Sequence, residues 1–337
     1  MRKACWGPWH CGEIGSKGLR RLQLFEVLDQ RWCPQPVRHG ATDYLEAITS
    51  RADIYRPVQE EIFRAIDDCG AARVVDLCSG GGGPWLSPRW RSALAEHGRL
   101  KVLLTDKFPS DVLCSRLGAD PQLSCVKFSV DAACVPEQLR GFRTIFSSFH
   151  HFPDTVARAV LADAVRCGDG FAMAEVTSRT LRAFAIMLLM PIFVWILTPR
   201  MRPFRWSRLL LTYLVPLIPL VVLWDGLVSC CRTRTPQELL ALTAGFPQYE
   251  WSAGYARGNW LAPVYLIGRS KNFPQGSQSA SECSGDYSRA HELFSSRAQA
   301  GGKPTLRKQH ADRPRSQDAA VHLGLCFPLP AAFPMEP

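Results

Sequence analysis

Residues 74–83 constrain this chain more than any other stretch: Val74-Val75-Asp76-Leu77-Cys78-Ser79-Gly80-Gly81-Gly82-Gly83. A short apolar run ends near an acid and passes into a loop almost without side chains. β-Branched residues in such a run favour a strand buried on both faces. The glycines then let the backbone turn through left-handed conformations and bring its N–H groups close to a ligand. Strand, glycine loop and helix start together predict an open α/β sheet, which binds ligands at the carboxyl ends of its strands.

Two common uses of such a loop fail on particular residues. A phosphate-binding P-loop needs Gly-Lys-Ser/Thr, but Pro84-Trp85 follows here. A dinucleotide fingerprint opening at Gly80 needs a small residue at position 85, which is Trp; a shift by one puts Leu86 there.

The flanking pattern agrees with an α/β sheet. Residues 41–68 carry Tyr44, Leu45, Ile48, Val58, Ile62 and Ile66 at helical spacing. Pro57 suits a first helical turn and Gly70 a left-handed cap. Strands are expected at 73–77, 100–105, 124–130, 143–148 and 170–176, alternating with helices such as 88–97 and 153–167. Two more are expected at 249–255 and 263–268. The expected fold is a Rossmann-like open, mostly parallel seven-stranded sheet with helices on both faces.

Four marks fall at the carboxyl ends of these strands. Asp76 stands before the loop Cys78-x-Gly80-x-Gly82. Asp106 ends the second strand, 30 residues after Asp76. Asp131-Ala132 follows the third. Ser147-Ser148-Phe149-His150-His151-Phe152 follows the fourth. In this order they resemble the motifs of class I S-adenosylmethionine (SAM) methyltransferases. Over residues 40–270 the chain also looks like a group of bacterial methyltransferase-like proteins of unassigned substrate, which carry VVDLCSGGGGPW, FSSFHHF and a late LWDG segment. The one departure is Cys78 in place of the first motif glycine.

The resemblance implies SAM as cofactor, held by Asp76, Cys78, Gly80, Gly82, Asp106, Asp131, Ala132, Ser147 and Ser148, with Asp106 on the ribose hydroxyls and Asp131 near the adenine. It implies in-line methyl transfer, in which positioning and desolvation do most of the work. A base would help a hydroxyl or amine acceptor. His150 and His151 are the candidates, because an imidazole titrates near working pH, and Glu175 is a further one. Phe149 and Trp85 fit either a pocket wall or the core.

The connection from residue 177 to 248 is long for a single crossover. It holds two apolar runs of 16 residues, 183–198 and 209–224, joined by an Arg-rich segment. Sixteen helical residues reach about 24 Å, short of a hydrocarbon core of about 30 Å. Pro191, Pro216 and Pro219 interrupt the runs, and Arg stands at both ends, including Arg179, Arg182, Arg232 and Arg234. These features favour a helical hairpin, spanning 178–235, that dips into one leaflet. Trp195, Trp206 and Trp224 would lie at the interface. A lid or a dimer interface is the other reading. The insertion's place implies a small apolar or lipid-like acceptor.

The net charge of +10 suits an anionic surface. A nucleic-acid substrate is not expected, because no NPPY- or PC-type tetrapeptide follows the fourth strand and no nucleic-acid module is added. The mean hydropathy of −0.06 excludes a polytopic membrane protein. The 13 cysteines show no zinc-type spacing, so they read as reduced thiols and no metal is expected. The expected place is the cytoplasmic face of a membrane, or the cytoplasm. Residues 1–40 read as a basic, poorly ordered arm, 41–270 as the methyltransferase domain and 271–337 as a disordered tail. The alternative function is a non-catalytic SAM-fold membrane or interaction protein. Oligomeric state is not readable from the sequence.

Overall fold

The structure is a computed structural model and describes residues 20–271 apart from 52, 119, 203, 257 and 259–261. Its strands are β1 (Arg73–Leu77), β2 (Lys101–Leu104), β3 (Leu123–Cys125), β4 (Phe142–Phe146), β5 (Phe171–Glu175), β6 (Tyr249–Tyr255) and β7 (Val264–Ser270). Its helices are α1 (Gln35–Arg51), α2 (Arg56–Asp68), α3 (Pro88–Glu96), α4 (Asp111–Leu117), α5 (Asp154–Cys167), α6 (Leu181–Leu197), α7 (Trp206–Leu209), α8 (Leu217–Arg232) and α9 (Pro236–Thr243).

The strands form one open sheet in the order β3-β2-β1-β4-β5-β7-β6. β1 to β5 pair in parallel, and β7 runs antiparallel to both β5 and β6. This is the expected Rossmann-like, mostly parallel sheet with helices on both faces. The chain winds outward from β1 to β3, then returns to β4 on the opposite side of β1. The order therefore reverses between β1 and β4, where such a sheet opens a crevice at its carboxyl edge.

Side chains alternate across the sheet with a period of two. Val74, Phe142, Phe146 and Ala172 pack beneath α2 and α3. Val75, Leu77, Ile145 and Met173 face α5 and α9. Both clusters are fully buried, as a parallel sheet covered on both faces requires. Pro57 lies in the first turn of α2, and Gly70 takes φ +58 just beyond it.

The hairpin lies between β5 and β6, as expected. Ala183, Ile186, Met187 and Val194 of α6 pack with Ile218 and Val222 of α8 and Tyr44 of α1. The opposite face of α6 exposes Leu188, Leu189, Ile192, Trp195 and Ile196. Two expectations are corrected here. The apolar helical stretch runs from 181 to 200, which is 20 residues, so by length and composition it could cross a membrane. The second arm, Trp206–Leu214 with Leu217–Arg232, bends by 75° at Pro216. Most of the basic residues counted at the hairpin base also bind protein groups. Arg179 pairs with Glu238, Arg232 with Glu26 and Asp29, and Arg234 with Asp154.

Residues 20–34 differ from a loose arm. The N–H groups of Val27 and Leu28 donate to Asp225 at 2.7 and 3.0 Å, and Leu22 N–H donates to the Cys231 carbonyl at 3.1 Å. α1 then opens at Gln35, before the expected boundary at 40. The expected arm over 1–19 and tail over 272–337 lie outside the described residues. Cys114 of α4 and Cys125 of β3 are joined by a disulfide with a Cα–Cα distance of 5.2 Å, which corrects the all-thiol reading.

Candidate functional site

The two strand ends that flank the order reversal are both conformationally unusual. Cys78 follows β1 with φ +56 and Ser147 follows β4 with φ +45. Non-glycine residues in this region carry strain, which concentrates where backbone is held for function. Gly80 takes φ +51, and a Cβ there would enter open space. The glycine loop thus leaves room over its backbone.

The sequence-nominated acids are tied to that loop. Asp106, just beyond β2, accepts from the Gly80 N–H at 2.9 Å through Oδ2 and from the Phe108 N–H at 2.8 Å through Oδ1. Its carbonyl accepts from Val130 N–H at 3.0 Å, which brings the Asp131 turn to the same edge. Asp131 lies six residues beyond β3, not at its end as expected, because β3 stops at Cys125. Its carboxylate accepts from Ala133 N–H and Lys107 Nζ at 3.0 and 3.1 Å. Burial opposes its ionisation, but these two donors outweigh burial and hold its pKa below the usual range. Ala132 beside it is buried.

Asp76 sits deeper, 1% exposed. It accepts from Ser79 Oγ at 2.7 Å and from Thr144 Oγ1 at 2.6 Å, bracing β1 against β4. Burial drives its carboxyl up to about 7, against the hydrogen bonds from Thr144 and Ser79. Burial likewise pushes the Cys78 thiol up. Ser147 Oγ shares a 2.6 Å hydrogen bond with the hydroxyl of Tyr55, and Ser148 Oγ donates to the Phe146 carbonyl at 3.1 Å. Trp85 and Phe149 are buried in the two cores, Trp85 packing edge-on to Trp90 and Phe146. They therefore belong to the core and not to a pocket wall.

The histidines after β4 form a separate cluster. His150 is 4% exposed. Its Nδ1 donates to Glu175 Oε2 at 2.7 Å, and its backbone N–H donates to Glu175 Oε1 at 2.9 Å. Its Nε2 lies 3.4 Å from Glu26 Oε1. Burial disfavours the imidazolium, but the Glu175 and Glu26 carboxylates outweigh it and push His150 up to about 9. The ring of His151 lies against that of His150, tilted by 31° with 4.3 Å between centroids. Its Nδ1 faces Asp29 at 3.1 Å and its Nε2 lies 3.6 Å from Glu26 Oε2. Arg232 from α8 lies 3.2 Å from Glu26 and 3.3 Å from Asp29. Glu175 thus stands with the histidines, but as their ion-pair partner.

Four residues of these two groups were not nominated from sequence. Tyr55 buttresses Ser147, and Glu46 of α1 would lie 3.3 Å from a Cβ on Gly81. Glu26 and Asp29 come from the segment before α1. None carries a local signal, since each is an ordinary side chain whose importance is its neighbour. A cavity of about 710 Å³ between α2 and α3 is lined by residues such as Phe63, Arg64 and Arg89 and includes none of the glycine loop.

No protein-family profile matches the chain, and no curated protein matches it in sequence. Solved structures do show similarity. The chain is similar to the pyocyanin biosynthetic protein PhzM, at 15% identity and TM-score 0.38, covering 63% of this chain and 54% of that one. It is similar to human N-acetylserotonin methyltransferase in complex with SAM, at 12% identity and TM-score 0.38, covering 70% of this chain and 55% of that one. It is also similar to the plantazolicin methyltransferase BamL, solved with a triazolic desmethyl analogue and S-adenosylhomocysteine, at 13% identity and TM-score 0.39, covering 69% of this chain and 96% of that one. The chain thus spans a little over half the length of the first two proteins.

Proposed function

We propose that this chain is a SAM-dependent methyltransferase that acts on a small apolar or lipid-like acceptor at a membrane surface. The observation that carries the reading is the Gly80 N–H to Asp106 contact at the order reversal of the sheet. It places an open glycine loop beside an acid at the edge where such sheets bind ligands.

The residues present fit the cofactor. Each Asp106 oxygen accepts one backbone N–H and keeps a lone pair for a ribose hydroxyl. Asp131 and Ala132 stand beside it for the adenine end. Gly80 and Gly82 would lie along the methionine end, with Cys78, Ser147 and Ser148 shaping the crevice and Asp76 bracing it from below. When bound, SAM supplies an already activated sulfonium methyl, so the protein's own task is to align the acceptor and exclude water. In this reading His150 and Glu175 are positioning residues. An imidazole ion-paired between two carboxylates keeps its proton at neutral pH and is a poor general base.

The hairpin supports the acceptor class and the surface. Leu188, Leu189, Ile192, Trp195 and Ile196 of α6 are exposed large apolar side chains, as are Leu214, Leu220 and Trp224 beyond the loop. Contiguous patches of such side chains mark interaction or membrane sites. The joining loop adds exposed Arg200 and Arg202 next to exposed Phe204 and Trp206, which suits an anionic interface.

Calorimetry tests the cofactor half. Wild type should bind SAM, and Asp106→Ala should bind at least tenfold more weakly. No binding by folded wild type would sink the enzyme reading.

A further inference from the structure

The cluster of Glu26, His150 and His151 performs no chemical step in the proposed methyl transfer. We propose that these three side chains form a binding site for a divalent cation of the zinc class. Their donor atoms all lie within 4.8 Å of one another. The Nδ1 atom of each imidazole already faces a carboxylate, Glu175 for His150 and Asp29 for His151. That leaves both Nε2 atoms for the ion, as in metal sites where a carboxylate orients each ligating histidine. The Nε2 of His150 is buried and makes no hydrogen bond among the described residues. Its one facing group is the Glu26 carboxylate at 3.4 Å, so an ion that displaces the Nε2 proton would be held by both.

The distances suit one small ion. His150 Nε2 and His151 Nε2 lie 3.4 and 3.6 Å from the Glu26 carboxylate oxygens. Two donors, each about 2.0–2.1 Å from zinc and set at a tetrahedral angle, are separated by about 3.4 Å. Ser229 Oγ at 3.0 Å and Arg232 at 3.2 Å hold Glu26 Oε1 and so fix the carboxylate that faces both imidazoles. The charges suit a dication. With neutral imidazoles, the contacting groups are three carboxylates (Glu26, Asp29, Glu175) and one guanidinium (Arg232), a net −2. Two imidazoles and one carboxylate favour zinc over magnesium or calcium, which prefer all-oxygen shells. Three protein donors leave a fourth position for water. His151 has a side chain 31% exposed and gives the ion a way in.

The ion would clip the segment before α1 to the turn after β4. No sequence spacing announces it, because Glu26 lies 124 residues from His150.

Cobalt(II) titration of the chelator-stripped full chain tests the site. The expected result is saturable visible d–d absorption at one equivalent, reversed by zinc(II), without the near-ultraviolet band of cobalt–thiolate bonds. His151→Ala, with its circular dichroism unchanged, should bind at least tenfold more weakly. If that variant misfolds, Glu26→Gln carries the same expectation. Three results would overturn the proposal: no saturable binding by folded wild type, a thiolate band showing that the ion sits on cysteines, or unchanged affinity in the folded variant.

Discussion

Asp76 shows how one buried carboxyl can brace a site and still weaken the fold. It is fully enclosed, and the hydroxyls of Ser79 and Thr144 offset only part of its lost water. Its folded pKa of about 7 lies above that of an unfolded aspartate. The folded chain therefore binds this proton more tightly, and the stability it contributes is complete below about pH 4 and lost as pH rises through 7. The slope is on the order of 1.4 kcal/mol per pH unit within that window. Asp76→Asn cannot ionise, so its stability relative to wild type should rise between pH 5 and pH 8. Urea unfolding of both proteins at the two pH values checks this, and a difference that does not change with pH would contradict it. Asp106 is the opposite case. It is tied by backbone donors at an accessible edge, so its replacement should cost cofactor affinity more than stability.

At the scale of elements, α6 is apolar all round, with one face already satisfied. Met187 and Val194 are buried against α8 and α1, while Leu189 and Ile192 are about half exposed. The two faces should respond differently to substitution. Met187→Ala removes buried contacts and should destabilise by about 2–4 kcal/mol, read by denaturant unfolding. Leu189→Glu with Ile192→Glu should leave stability within about 0.5 kcal/mol per site. The same pair should cut sedimentation with phosphatidylserine-containing vesicles severalfold. Equal sedimentation of wild type and the Glu pair, or none by wild type, would count against membrane docking by this face. The bend at Pro216 splits the second arm, as either a broken span or a re-entrant loop would have it.

For the described molecule as a whole, buried arginines from the hairpin base join insertion to sheet. Arg234 is 3% exposed. It donates to the carbonyls of Phe149 and Phe152 at 3.2 and 2.7 Å, pairs with Asp154 and stands over the Phe149 ring. Arg234→Met would remove one donor from each carbonyl and the buried cation beside Asp154, which leaves Arg21 and the Phe152 N–H as their remaining partners. A fall of about 2–4 kcal/mol in unfolding free energy is expected, and a loss under about 0.5 kcal/mol would show that the tie is dispensable. Through this tie and Arg232, the hairpin reaches the turn after β4 that also borders the proposed cofactor crevice.

The parts legible in the sequence are those whose physics is local. Val74 and Val75 turn to opposite faces because strand side chains alternate. Val58, Ile62 and Ile66 line one stripe because helices repeat every 3.6 residues. The glycine loop, Asp76 near the end of β1 and Asp106 beyond β2 are read directly, since backbone freedom and strand ends leave a mark in neighbouring residues. Other features depend on segments far apart in the chain meeting in space. His150 reads alone as a candidate base, and only the fold sets it between Glu26 and Glu175, where burial and two carboxylates change its chemistry. The arginines at the hairpin base read as lipid-facing charge until the fold supplies their acids. Composition and periodicity thus determined the sheet, the loop and the place of the insertion. Tertiary structure decided which charges are paired and which donors converge, because pairing depends on distance in space, and the chain holds no local record of that.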